Sequence, residues 1–183
     1  MFNYIYIDNV AGIDTPVKLD FIGVPRKKEK QNTVVKIENG VYVNKLTGII
    51  GGNASGKTSI IRAITAIGTF LSFSDERYKN DKISLKTKKE GFELKENLLD
   101  ILPSQNNKHK DKMSNIKVEM YIESGEEPGY YTYDLHYYLG DNIENKLIES
   151  LYYRKKIKDE PTTIVTIKKE KLESEIGYKY NHK

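Results

Sequence analysis

Cysteine and tryptophan are absent from this chain of 183 residues, and arginine is confined to Arg26, Arg62, Arg77 and Arg154. Without cysteine there can be neither a disulfide framework nor a thiolate metal site, which fits a reducing interior. The net charge of +4 is carried by lysine. Recognition of phosphates and bases favours the arginine fork, so a lysine surplus spread along the chain reads as solvated surface. His109, His136 and His182 lie too far apart in sequence to suggest a metal site by ligand spacing. No apolar run reaches the length of a membrane span. The opening MFNYIYIDNV has neither the basic nor the apolar region of a secretory signal. A cytoplasmic protein with no membrane partner is expected. With 38% hydrophobic and 31% charged residues, the chain fits one globular domain with a sizeable core, or part of a larger one.

What is present is concentrated in Leu46–Phe73, LTGIIGGNASGKTSIIRAITAIGTFLSF. A short apolar run, Leu46 to Ile50, reads as a buried strand. It leads into Gly51-Gly52-Asn53-Ala54-Ser55-Gly56-Lys57-Thr58, and an apolar stripe at helical spacing follows. This is the pattern G-x-x-x-x-G-K-[ST] in its strand–loop–helix setting. Glycines let the backbone curl so that several N–H groups face one anion, and the helix adds the positive end of its dipole. Gly51 through Ser59 are therefore the candidate nucleotide-binding residues. Lys57 is expected to reach the β- and γ-phosphates, and the Thr58 hydroxyl to ligate Mg²⁺. ATP and Mg²⁺ are the expected cofactors.

The helix behind the loop places Ile60, Ile61, Ile64, Ile67 and Leu71 on one apolar face, with Ala63 and Ala66 between them. β-branched residues are poor helix formers, so burial against a sheet must stabilise it. Ahead of the loop, residues 2–8 and 17–21 alternate as strands. Thr33–Ile37 and Val41–Lys45 flank Asn39-Gly40 as a hairpin. Arg26–Lys30 reads as an exposed loop. Behind the helix, Ser74–Glu90 is polar with a short strand at Ile83–Leu85. Phe92–Leu102 reads as an amphipathic helix stopped by Pro103, and Ser104–Ser114 as a flexible loop. From residue 115 the period becomes two. Strands at 116–122, 131–139, 147–154 and 162–167 form an antiparallel meander, and Glu170–Lys183 reads as a frayed polar end. The expected organisation is one partial domain: opening strands, loop and first helix (1–73), a variable polar insert (74–114), the meander (115–170) and a tail (171–183).

Hydrolysis at such a loop needs a carboxylate at the end of a buried apolar strand. Asn97-Leu98-Leu99-Asp100 is too short and sits in a helical pattern, whereas Ile122-Glu123 and Ile148-Glu149 lie on alternating strands. None qualifies, and no catalytic residue is assigned. Tyrosines crowd 130–138 and 152–153, but no lysine or arginine interleaves with Tyr130–Tyr138, so they read as strand residues. Lys86-Thr87-Lys88-Lys89 and Arg154-Lys155-Lys156 read as solvated clusters, with a DNA path along a dimer left open. Three other function classes share the loop. A phosphoryl-transferring kinase would want lid arginines, for which only Arg62, Arg77 and Arg154 follow the loop. A GTPase would want N-K-x-D, which is missing, and Asp20-Phe21-Ile22-Gly23 precedes the loop. A non-catalytic nucleotide-binding interaction module is the third.

At Asn53, Ser55, Gly56, Lys57, Thr58, Arg62, Ala63 and Ile64 the chain resembles the ABC-type P-loop ATPases. Within that class it is most similar to the stand-alone AAA-family heads related to the structural-maintenance-of-chromosomes and OLD-nuclease families, including phage-defence ATPases. Tyr4–Phe21 and Lys117–Ile167 resemble, more weakly, the opening strands and antiparallel subdomain of those heads. The resemblance implies an α/β fold: a P-loop NTPase lobe with a strand–P-loop–helix core and an antiparallel β-subdomain. It also implies a head-to-head homodimer that hydrolyses ATP, with a nuclease or other effector as partner. Many relatives carry an arginine after the asparagine of the first loop, where this chain has Asn9-Val10. The signature motif, the Asp-Glu strand and the switch histidine of the second lobe have no counterpart here, and Gln105 does not sit where a Q-loop glutamine would. The chain therefore reads as an N-terminal lobe.

Overall fold

A computed structural model describes residues 1–23, 33–38, 40–72, 82–86, 93–97, 102–124, 127–139, 146–172 and 175–182. Arg26–Lys30, Thr87–Lys89 and the apolar end of the Phe92–Leu102 segment (98–101) lie outside these residues. The fold is mixed α/β, as the sequence implies: antiparallel sheet with one α-helix. Its strands are β1 (Phe2–Asp8), β2 (Val17–Asp20), β3 (Ile22–Gly23), β4 (Val34–Glu38) and β5 (Val41–Asn44), then helix α1 (Lys57–Ser72). β6 (Lys82–Lys86), β7 (Glu93–Asn97), β8 (Ser114–Ile122), β9 (Gly129–Tyr138), β10 (Lys146–Arg154), β11 (Thr162–Leu172) and β12 (Glu175–His182) follow.

Seven strands form the main sheet in the order β12-β11-β10-β9-β8-β1-β2. The meander is therefore real, and β1 is inserted beside its first strand. A second sheet has the order β3-β5-β4, and β6 pairs with β7. Between β4 and β5, Gly40 turns at φ 80°. This left-handed geometry suits glycine and explains the Asn-Gly signal.

Alternation on the strands decides which side becomes core. Ile5 and Ile7 of β1, Ile116 and Val118 of β8, and Tyr133, Leu135 and Tyr137 of β9 are buried on one face. There they join Ile60, Ala63, Ala66, Ile67 and Phe70 of α1. Burial of the Tyr137 phenol pushes its pKa up, and its hydroxyl donates to the Pro103 carbonyl at 2.8 Å. The opposite face is polar. Cross-strand register aligns Lys18, Tyr6, Lys117, Asp134 and Ser150 in one row. The next row holds Asp20, Tyr4, Glu119, Thr132 and Tyr152.

Several expectations change. Glu93–Asn97 is a strand paired with β6 rather than part of a helix; its short apolar pattern is compatible with either period. The end of the chain is not frayed: β11 runs to Leu172 and pairs with β12. A strand whose backbone is paired can carry polar side chains, and this is why composition misled. On α1, Ile61 is 57% exposed and Phe70 is fully buried. The buried face thus runs through Ile60, Ala63, Ala66 and Ile67 as expected, with Ile64 and Leu71 packed at its edge; Ile61 falls outside it and Phe70 joins it. Among the described residues no helix is long and apolar enough to cross a membrane.

Candidate functional site: the phosphate loop and its support

β5 delivers the chain to the loop, and the Lys45 N–H donates to the Thr33 carbonyl at 2.9 Å. Leu46–Ile50 is then unlike the expected buried strand. It forms no ladder, and Leu46 and Ile50 are 90% and 98% exposed. A strand needs neighbours to pair its backbone groups, and none of the described residues pairs with this run.

Gly51–Ser59 curls as the motif requires. Ala54 and Gly56 adopt φ 61° and 82°, so the chain turns through left-handed geometry before α1 begins. A side chain at Gly56 would meet the Gly12 carbonyl oxygen at 3.0 Å, and one at Gly51 would meet Ser55 Oγ at 2.6 Å. The Ile60 N–H donates to the Gly56 carbonyl at 3.0 Å, setting the first turn of the helix. Lys57 Nζ donates to the carbonyls of Gly51 (2.8 Å) and Gly52 (2.5 Å) and to Ser55 Oγ (3.2 Å). The ammonium is thus held over the mouth of the turn. Asn53, Ala54 and Thr58 are exposed at the rim, and Ser59 is half-buried against Gly12. The donors here are an ammonium, hydroxyls and a helix N-terminus, and among the described residues no carboxylate bonds to Lys57. Such a set suits a phosphate chain, and the exposed Thr58 hydroxyl suits a hard cation.

The loop rests on the β1–β2 connection, which reads in the sequence as a loop or hairpin connection. Asn9 turns at φ 53°, and its Nδ2 donates to the carbonyls of His109 (3.0 Å) and Lys112 (2.8 Å). Ser114 Oγ donates to the Asn9 carbonyl at 2.6 Å. Asn106 Nδ2 donates to the Ile13 carbonyl at 2.6 Å and to Asp14 Oδ1 at 3.1 Å. Lys108 Nζ lies 2.7 Å from Asp14 Oδ2. Hydrogen bonds from Lys108 and Asn106 hold the Asp14 carboxyl below the usual carboxylate range. The segment 104–114 is therefore a clamp on the β1–β2 connection and not a free loop. Gln105 belongs to it: its Nε2 donates to the Lys112 carbonyl, and its Oε1 accepts from the Leu139 N–H at 3.2 Å. The signal was its asparagine and glutamine content, since short amides satisfy turning backbone locally. Val10 is fully buried in the core, so that position presents no charged group to the phosphate loop.

Residues 5–182 match the family described as an AAA domain. No curated protein and no solved structure matches the chain.

Proposed function

From the premise that this chain belongs to the AAA-domain family of nucleotide-binding ATPases, we propose that it is the ATP- and Mg²⁺-binding N-terminal lobe of an ABC-type head, related to the chromosome-maintenance and OLD-nuclease ATPases. Lys57 would hold the β- and γ-phosphates, the backbone of Gly51–Gly56 would wrap them with Ser59 behind, and Thr58 would stand at the metal side. The observation that carries the lobe reading is the exposure of Leu46 and Ile50 (90% and 98%) directly before the tight turn at Gly51–Gly56. An apolar lead-in of strand character is stable in water only where other strands cover it. On this reading a second lobe covers it and supplies the missing carboxylate, and a second head completes the site. A cytoplasmic homodimer working with an effector protein follows from the same reading.

Purified chain titrated with a fluorescent ATP analogue should bind it, and Lys57→Ala should weaken binding by at least tenfold. Unchanged affinity in that variant would refute nucleotide binding at this loop. Steady phosphate release by the wild-type chain, lost in Lys57→Ala, would refute the need for a second lobe. Transfer of the γ-phosphate to a small acceptor would favour a kinase instead.

A further inference from the structure

Asn106 is buried and binds both arms of the β1–β2 connection, residues 9–16. Its backbone N–H donates to the Asn9 carbonyl at 3.2 Å. Its side-chain Nδ2 donates to the Ile13 carbonyl at 2.6 Å and to Asp14 Oδ1 at 3.1 Å. Oδ1 accepts from the Lys108 N–H at 2.9 Å. Only one orientation of the amide fits, since Ile13 offers an acceptor and Lys108 a donor. The Asn106 carbonyl accepts from the His109 N–H at 3.0 Å, and the Ala11 N–H donates to the Ser104 carbonyl at 2.8 Å. Segment 104–109 thus pins the connection at residues 9, 11, 13 and 14, around Gly12.

Gly12 is the residue against which the phosphate loop lies. It turns at φ 77°, and its carbonyl oxygen stands 3.0 Å from where a Cβ on Gly56 would be. Ile13 Cγ1 lies 3.7 Å from the same point. A methyl on Gly12 itself would meet Ser59 Oγ at 2.7 Å. Gly56 and Ser59 bracket Lys57 and Thr58 in the chain. Packing this close leaves little slack, so a shift of Gly12 is passed to both.

We infer that Asn106 is a positioning residue for nucleotide binding. By holding Ile13 and Asp14 it sets Gly12, and through Gly12 it sets the left-handed turn at Gly56 from which Lys57 and Thr58 follow. The inference rests on the nucleotide-binding reading of the loop. It depends on the amide donors and not on the bulk of the side chain. With a carboxylate at position 106, the Ile13 carbonyl and the Asp14 carboxylate would face a third acceptor with no proton between them. The connection would then move away, and Gly12 with it.

The test uses the 183-residue chain and two readouts, both taken below the unfolding transition. In amide NMR spectra without nucleotide, Asn106→Asp should move the resonances of Gly56 and Ser59 and leave those of Tyr152 and Tyr153 on β10 in place. In titration with a fluorescent ATP analogue it should weaken binding about tenfold. Adding Asp14→Asn puts a donor back between the two side chains and should recover part of the loss. Arg154→Ala, which breaks a buried ion pair elsewhere in the sheet, should leave the affinity as it was. Gly12→Ala presses on the loop from the other side, and should cost less affinity in a Ser59→Ala background than alone; this pair carries the test if Asn106→Asp does not fold. Lys57-dependent binding that Asn106→Asp or Gly12→Ala leaves unchanged would overturn the inference and spare the nucleotide reading. Binding indifferent to Lys57→Ala would overturn both. Unmoved Gly56 and Ser59 resonances, or an equal loss in Arg154→Ala, would reduce Asn106 to a stabilising residue and overturn the positioning role.

Discussion

The guanidinium of Arg154 holds both carboxylate oxygens of Glu119, with Nη2 at 2.7 Å from Oε1 and 2.6 Å from Oε2. Asn3 Nδ2 and Thr132 Oγ1 complete the shell of that carboxylate, at 3.1 Å and 3.2 Å. One bidentate pair thus ties β10 to β8 across β9. Arg154→Ala strands a buried carboxylate and should cost on the order of 3 kcal/mol in urea unfolding. Adding Glu119→Leu should recover much of the loss, because the uncompensated charge goes with it. Equal loss in single and double variants would show that packing, not charge, dominates.

Gly56 is required twice, by its φ of 82° and by the Gly12 carbonyl 3.0 Å from where a Cβ would stand. Gly56→Ala should cost about 1–2 kcal/mol from left-handed geometry alone. It should also shift Gly12 and weaken nucleotide binding. Ala54, at φ 61°, already bears such a strain. Ala54→Gly should therefore raise the thermal midpoint, and a lowered midpoint would refute the strain.

Helix α1 offers a paired comparison. Phe70→Ala empties a fully buried site in the core and should cost roughly 3–5 kcal/mol. Ile61→Ser changes an exposed side chain and should stay within about 0.5 kcal/mol. Denaturant midpoints of the two variants measure the contrast, and similar losses would mean that the helix is rotated from the face described.

Asp134 sets an acid limit. Burial alone would raise its pKa, but hydrogen bonds from His136, Lys117 and Asn115 override that and hold it below the usual range. A depressed folded pKa means that the stabilisation is present above the unfolded value of about 3.9 and is lost as pH falls through the folded one. Stability should therefore drop below about pH 4, and Asp134→Asn should flatten that limb. Lys117 shows the complement: burial would lower its pKa, yet the Asp134 hydrogen bond and charge raise it. Its contribution is complete below about pH 10.5 and fades only as pH climbs through the raised value.

Leu46→Asp with Ile50→Asp should leave the unfolding midpoint of the chain unchanged, since both side chains already face solvent. The same pair should abolish any complex formed with a second lobe, as read by sedimentation. Retained assembly would move that interface elsewhere.

Local signals were legible wherever neighbours in sequence make the structure. The period-two runs at 116–122 and 131–139, the turn at Gly40 and the phosphate loop's own curl all depend on residues close together. Partners far apart were not legible. The cover over Asn9 comes from His109, Lys112 and Ser114, and Tyr6 meets Lys18 and Lys117 only through strand register. Charge and polarity at 170–182 hid a paired strand, because a ladder is made by backbone groups that composition does not report. Ile61 shows a third limit: a stripe that is apolar around much of a helix does not say which edge faces the core.

β1 lies inside the main sheet, between β2 and β8, and the register sets Ile7 against Ile116 and Ile5 against Val118. During synthesis its partner on that side therefore emerges long after it. At roughly 5–20 residues per second the wait is on the order of ten seconds, during which the phosphate loop and α1 have no sheet to rest on. The meander β8–β12, by contrast, joins neighbours through short turns and closes quickly. The part of the chain made first must thus wait for a partner made much later, and a ribosome-bound intermediate would present β1 and the isoleucine-rich helix to chaperones until β8 arrives.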